Sequence, residues 1–564
     1  MHLLRLLVVL CVVVCHGQDL PKVPAALAGD HSLGGAGVRG RLTHKGTRYI
    51  TEVLSKSLLS VAVASDAPHA PVDVPVQSSS VKLSNFKLKL GDLSLTKHAS
   101  VELLPPNQIF VILQNLDLTL TSEINGKVSS EESAGQLILH SKNYKVEMAV
   151  KITRNDKNTP SFSVEKCKSG QGWESEAEYN GKLSGAQLNV LKASATKSAS
   201  EIFEAALCPR IVNAVEGHLN ERMSLLDPKI SLAATTDDQL IEDIKSKLSK
   251  RRHQRDILTD ERSLRVRRAE GQAFNISTFN LGRANNLFLD YSIVSDPRVT
   301  QFGVEIDSNG EISLKTSEKT PFGPIDVPLP QNDNGADSML QIIVSDFIPN
   351  TLMFHGHDIG LFNTRVDPST PQFGSIMRTS CDLSTGSLFC IGDLLPTMRK
   401  QHPNQRVAMH FKTIQAPVLL FRPASMGGIA FSLLGHIDVL TLDNGDGKDK
   451  LIGAFGIEIA ANMKMRLTNT MVKGKVNLEK IKLTSRSPKV LLQEELDDAG
   501  LLGREVLQRM VNDILKDGIP IPVHPLFRLN KPKVKVINRA LLIQADFDLN
   551  ERLMDELTGN HLFA

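Results

Sequence analysis

Aromatic side chains are scarce here. Phe, Tyr and Trp make up 5% of the 564 residues, with a single Trp, so the interior must be built mainly from aliphatic residues. A large excess of charge of one sign is missing too. The formal net charge is +3, near neutral for this length, which gives nucleic-acid binding no support. No Walker loop or dinucleotide fingerprint occurs. There is no Gly-x-Ser-x-Gly elbow either, since Asp30-His31-Ser32-Leu33-Gly34 lacks the first glycine; this argues against a serine hydrolase. His355-Gly356-His357-Asp358 has no third ligand at a useful spacing and reads as a surface turn ending a helix. Asp443–Asp449 has the wrong acid spacing for an EF-hand and reads as a hairpin turn. The chain therefore reads as non-enzymatic, without cofactor or metal. Beyond the first residues, no apolar run approaches the length of a membrane span.

What is present points to a secreted protein. In Met1–Gly17, Arg5 precedes an apolar stretch, Leu6–Val14, and small residues follow, as in a signal peptide. Of six cysteines, Cys11 and Cys15 fall in that segment. Cys167, Cys208, Cys381 and Cys390 remain, with three pairings open. Pairing between sequence neighbours, Cys167–Cys208 and Cys381–Cys390, is preferred. Asn275-Ile276-Ser277 is a glycosylation acceptor. Lys245–Glu270 is charged without apolar period and reads as an exposed linker. Within it, Arg265, Arg267 and Arg268 have the arrangement a furin-like protease reads; an exposed basic loop is the plainer reading.

At this length more than one domain is expected. Ala336–Phe354 carries Met339, Leu340, Ile343, Val344, Phe347, Ile348 and Leu352 at helical spacing, and predicts a helix that Pro349 kinks or divides. Lys45–Val63 predicts another, with Tyr49, Ile50, Val53, Leu54, Leu58 and Val61 on one face. Strands are predicted over Val81–Leu90, Ile109–Leu113 and Leu116–Thr121, with Asn125-Gly126 as a hairpin turn. In a further strand Tyr144, Val146, Met148, Val150 and Ile152 alternate with polar residues. A long helix is predicted over Ala199–Met223, with Ile202, Phe203, Ala206, Ile211, Val215 and Leu219 as its apolar side and a bend or a break at Pro209. Later strands cover Leu287–Val294, Gly303–Leu314 and the alternating Ile457–Leu467, which carries Met463 and Met465. Pro321–Pro330 is extended, Leu496–Leu515 is helical, and two strands close the chain. The order helix, strands, long helix, strand thus occurs twice.

Three features carry a family resemblance. Cys208 is followed by Pro-Arg-Ile-Val-Asn-Ala-Val in a long helix, with Cys167 upstream. Ile342–Thr351 reads IIVSDFIPNT. Gly518-Ile519-Pro520-Ile521-Pro522 precedes the final strands. With these, nearly the whole chain resembles the family of bactericidal/permeability-increasing protein, lipopolysaccharide-binding protein, phospholipid transfer protein and cholesteryl ester transfer protein. The resemblance implies an α+β fold: two tandem pseudo-symmetric barrels of twisted antiparallel strands, each wrapped on long helices, joined by a central β-sheet as a boomerang. It also implies a Cys167–Cys208 bond and bound phospholipid in each barrel. The expected division is a signal peptide at 1–17, a first barrel at 18–244, a linker at 245–272, central-sheet strands and a proline-rich connection at 273–335, and a second barrel at 336–564. Candidate pocket residues are Ile50, Val53, Leu54, Leu58, Val61, Met339, Ile343, Phe347, Met463 and Met465. Expected partners are phospholipids or other amphipathic lipids, and transiently membrane or lipoprotein surfaces. Lipopolysaccharide is the alternative ligand, in an innate-immune role. The resemblance is incomplete, because Asp19–Lys250 has acids and bases nearly in balance, whereas endotoxin-killing members have a strongly cationic first domain.

Overall fold

The computed structural model describes residues 23–28, 30, 35–65, 70–91, 99–128, 131–232, 242, 245–247, 286–314, 320–331, 338–370, 374–381, 389–442, 449–468, 471–517, 519–520 and 526–558. The expectations at Met1–Gly17, at Arg265, Arg267 and Arg268, and at Asn275 fall outside these residues, as does most of Asp443–Asp449.

The first half begins with β1 (Val38–Leu42) and α1 (His44–Ala64). Strands β2 (Val72–Val76), β3 (Ser79–Leu90), β4 (Ala99–Leu104), β5 (Gln108–Val128), β6 (Glu131–Glu132), β7 (Gly135–Arg154), β8 (Pro160–Ser169) and β9 (Glu174–Gly181) follow. Then come α2 (Gly185–Lys197) and α3 (Ala199–Val212). The latter runs on through a π-helical turn, Asn213–Leu219, into a last α turn, Asn220–Met223. Short strands β10 (Lys229–Ser231), β11 (Leu287–Asp290), β12 (Arg298–Thr300), β13 (Gly303–Ser308) and β14 (Ile312–Leu314) lead to the second half. There β15 (Leu340–Ser345), α4 (Phe347–Asp358), β16 (Thr364–Val366), α5 (Ile391–Leu394), α6 (Pro396–Gln401), β17 (Arg406–Thr413), β18 (Val418–Phe421), β19 (Ile429–Leu442), β20 (Lys450–Thr468) and β21 (Met471–Ser485) precede the long helix α7 (Gln493–Asp517). The chain closes with β22 (Ile519–Pro520), β23 (Phe527–Ile537), β24 (Ala540–Leu549) and α8 (Glu551–Thr558).

The fold is α+β, with curled antiparallel sheets. β2–β9 form one sheet, and β16–β22 form its counterpart in the second half. Between them lies a six-stranded sheet in the order β12-β13-β1-β15-β24-β23, drawing on both ends of the chain. At its centre β1 and β15 pair antiparallel, Val38 opposite Val344 and Leu42 opposite Leu340. Each then enters a helix, so the two halves start alike. Thr43 caps α1, accepting from the Gly46 N–H. Gly46 must be glycine, because a Cβ there would run into the Met339 carbonyl.

The pattern of inward residues explains these elements. On β7, Tyr144, Val146, Met148, Val150 and Ile152 are all buried, the period of two that a half-covered strand requires. Ile152 packs with Val299 and Val304, while the first four meet Leu116, Leu118 and Leu120 of β5 and Ile202, Phe203, Ala206 and Ile211 of α3 in one large core. The only Trp joins it: Trp173, Tyr144 and Phe203 form a cluster with ring centroids 4.7–5.7 Å apart.

Several expectations are corrected. Ala336–Phe354 is not one helix. Leu340–Ser345 is a strand, and the helix starts only at Phe347. Gln341, Ile343 and Ser345 are buried in alternation, because β1 and β24 on either side supply ladder partners that helical spacing cannot reveal. Pro349 falls in the first turn of α4, where its missing N–H costs nothing, so it neither kinks nor divides the helix. Asn125-Gly126 is no hairpin turn. It lies inside β5 opposite Lys82 and Val81, where Gly126 takes φ +146° and a Cβ would sit 3.0 Å from Val81 Cα. The two strands expected at 109–113 and 116–121 are one strand with bulges. Gly303–Leu314 is broken by the Asn309-Gly310 turn into strands of different sheets, and Leu287–Val294 is a strand only to Asp290. His355–Asp358 is the last turn of α4 rather than a surface turn. His355 is buried, with Nε2 3.1 Å from Thr320 Oγ1. Pro209 sits within α3, and the helix continues past it before widening into the π turn.

Candidate functional site

Residues of β5 and β7 make an apolar floor. Ile109, Val111 and Leu113 alternate on β5, opposite Val150, Met148 and Val146 of β7. Two helices cross above it. From α1 come Leu54, Leu58 and Leu59, and from α3 and its π turn Ile211, Ala214, Val215 and Leu219; Phe162 of β8 closes one side. These groups leave a cavity of ≈ 100 Å³. One water needs roughly 10–15 Å³ by this measure, so the space takes about seven to ten groups of that size. The π turn widens the helix where it faces the cavity, a distortion frequent at functional sites.

Among the described residues the lining carries no Asp, Glu, His, Lys, Arg or Cys, and its hydroxyls are those of Thr51 and Ser55. Ser55 Oγ donates to Glu52 O at 3.0 Å within its own helix. What suits these aliphatic walls is a hydrocarbon segment that restores dispersion contacts to an empty space. Polar side chains of the α3 helix instead serve its far side. Phe162 N–H donates to Asn220 Oδ1 at 2.9 Å, and Asn220 Nδ2 donates to Phe162 O at 2.7 Å. Val164 N–H donates to Glu216 Oε1 at 2.7 Å, and Ser169 N–H to Glu204 Oε2 at 3.0 Å. The free edge of β8 is thereby satisfied by a helix. The Cys167–Cys208 disulfide ties the same two elements, with Cα atoms 5.8 Å apart; Cys381 and Cys390 are also bonded.

Of the ten candidate residues, the structure brings only Leu54 and Leu58 into this cavity. Val61 packs against the large first-half core. Ile50, Val53 and Met339 pack with Phe547 and Leu529 at the central sheet. Ile343 meets Leu329 and Ala540, and Phe347 meets Phe322, Leu27 and Val418. Met463 and Met465 lie in the second half against Phe421, Ile429 and Leu541. The strand and α3 residues of the lining were missed as site residues, although the shared spacing of Ile109, Val111 and Leu113 marked them as one face.

Residues 282–549 match the LBP / BPI / CETP family, C-terminal domain. Among solved structures, the crystal structure of lipopolysaccharide binding protein aligns at 15% identity and a TM-score of 0.48, covering 92% of this chain and 99% of that one. The crystal structure of Epiphyas postvittana Takeout 1 aligns at 14% identity and a TM-score of 0.21, covering 29% of this chain and 86% of that one. No curated protein sequence matches.

Proposed function

Since the chain belongs to the LBP / BPI / CETP family, we propose that it carries and transfers phospholipid, holding acyl chain in an apolar pocket and catalysing no reaction. The observation that carries this reading is the cavity between α1, the π turn and the β5–β7 floor, with no charged group among the described residues of its walls. Each methylene taken from water is worth ~0.8 kcal/mol. About eight of them would contribute about 6 kcal/mol, enough to hold one chain segment while the headgroup stays in water. The near-balance of acid and base in the first half offers no special attraction to a polyanionic glycolipid, which favours phospholipid over lipopolysaccharide.

The same proposal includes secretion, with Met1–Gly17 removed, a glycan on Asn275, and the domain limits expected from sequence. The two disulfides suit an oxidising compartment.

Native mass spectrometry with lipid extraction tests it on full-length protein from a secretory eukaryotic host. Co-purified phospholipid is the expected result. A lipid-free protein that takes up no phospholipid from vesicles, but binds lipopolysaccharide tightly, would overturn it.

A further inference from the structure

The β20–β21 hairpin concentrates charge of one sign. Residues 464–489 hold eight Lys or Arg and a single acid, Glu479. Pairing places Lys464 directly opposite Lys475, and Arg466 opposite Lys473 is the next pair on that face. Like charges directly opposite on a ladder stand about 5 Å apart at Cβ and destabilise it. Lys464, Lys473 and Lys475 are exposed, and among the described residues none has an ion-pair or hydrogen-bond partner. The nearby acids are engaged: Glu458 accepts from Lys480 Nζ at 2.9 Å, and Glu479 Oε1 accepts from Asn462 Nδ2.

The matching strands of the first half lack these cations. Pairing of β7 with β8 skips Glu165, and pairing of β20 with β21 skips Glu479. On one side of that bulge the two halves carry the same charges, Glu147 opposite Lys168 and Glu458 opposite Lys482. On the other side they part: the fourth pair out is Thr153–Ser161 in the first half and Lys464–Lys475 in the second. Lysines often guard an edge strand against pairing, but α7 already covers this one. Asn512 Oδ1 accepts the Val476 N–H at 2.7 Å, and Gln508 Oε1 accepts the Leu478 N–H at 2.9 Å.

An apolar group stands beside the cations. Between β18 and β19 the chain turns through Ala424–Met426 into Gly427-Gly428. Met426 is 65% exposed, and Arg422, Ala424 and Ser425 are exposed with it. The turn lies on Asn462 and Met463: a Cβ on Gly427 would come 3.4 Å from Asn462 Nδ2, and one on Gly428 3.0 Å from Met463 O. Lys464 is the next residue after Asn462 on the same face of β20. A bare thioether among unpaired ammonium groups suits the boundary of a bilayer, where the apolar side chain enters the acyl region and the cations meet lipid phosphate and carboxylate.

We infer that this surface, Met426 with Lys464, Lys473 and Lys475, docks the protein on an anionic phospholipid bilayer. The inference rests on the lipid-carrier reading for its purpose, but docking is measured apart from uptake.

The test is sedimentation of the full-length protein with vesicles of phosphatidylcholine, alone or mixed with phosphatidylserine. Each cation near an anionic surface is worth roughly fivefold in affinity. The mixed vesicles should therefore bind roughly a hundredfold more tightly, and Lys464→Gln/Lys473→Gln/Lys475→Gln should remove that preference. Raising the salt should weaken it too. Lys82→Gln/Lys87→Gln/Lys89→Gln takes the same charge from exposed positions on β3, and should change binding by less than about twofold. Met426→Ser should weaken binding several-fold. Lys475→Glu should weaken docking yet raise the melting temperature, because it turns a repulsive pair into an attractive one. No preference for phosphatidylserine, equal losses in the two triple variants, or capture by heparin without vesicle binding would each overturn the inference. Docking that depends on the three lysines, in a protein that takes up no fluorescent phosphatidylcholine, would uphold this surface and overturn the carrier reading.

Discussion

Arg539 and Asp346, 193 residues apart in sequence, meet at 2.7 Å through Nε and Oδ2. Asp346 is the residue before α4 and is 1% exposed. Its carboxylate also accepts the Phe421 N–H at 3.1 Å, and the Arg539 guanidinium reaches on to Asp30. One cation in the turn between β23 and β24 thus ties the last hairpin to the start of a helix and to the N-terminal segment.

Removing that cation leaves a buried carboxylate without its partner. Arg539→Ala should cost about 3 kcal/mol, the usual penalty for half of a buried ion pair. Urea unfolding measures it, and a change under about 1 kcal/mol would show that water replaces the guanidinium.

The cavity can be filled from within. Leu58 lines it and is only half-buried, so Leu58→Trp should occupy the space without disturbing the β5–β7 floor. Co-purified phosphorus per chain should fall several-fold, with the melting temperature held or raised. Undiminished lipid in a folded variant would place the guest elsewhere.

Much of this was legible in the sequence, and the misreadings have physical causes. The strand carrying Tyr144–Ile152 declared itself by alternation, and the α3 side by its period. β1 did not, because its Arg39 and Arg41 look like surface residues. Arg41 is buried only because Glu305, Gln341 and the Pro330 carbonyl converge on it from far along the chain. Leu340–Ser345 imitated a helix because Met339, Ile343 and Phe347 happen to stand four apart; the pairing that makes it a strand is tertiary. Nor can residue type separate a cavity wall from a core. Leu58 and Ile50 read as one helix face, yet Leu58 lines the cavity and Ile50 packs at the central sheet.

The Cys167–Cys208 bond closes a span of 41 residues. By the chain-entropy argument, Cys167→Ser/Cys208→Ser should lose about 4 kcal/mol. Trp173 packs on Phe203, in the helix the bond holds, so its fluorescence should report the earlier unfolding. An unshifted Trp173 transition would contradict a stabilising role for the bond.

Acid should act through Glu311. Burial would raise its carboxyl, but hydrogen bonds from the Thr320 N–H and hydroxyl at 2.8 and 2.6 Å, with the His355 imidazole 3.9 Å away, outweigh that and hold it at about 2. The group is thus depressed from an unfolded value near ~4.3. Its contribution is present above that value and is lost as pH falls toward 2. Glu311→Gln should be less stable at neutral pH and show a flatter decline between pH ~4.5 and ~2. An identical slope in both proteins would remove Glu311 from the account.

The most direct measurement is photolabelling with a phosphatidylcholine bearing a diazirine in one acyl chain, followed by peptide mapping of the full-length protein. Adducts on the segments holding Leu54–Leu58 and Ala214–Leu219 are predicted, and they should disappear in Leu58→Trp. Labelling confined to other surfaces, or the same adducts in the filled variant, would contradict the claim that hydrocarbon occupies the space beneath α1.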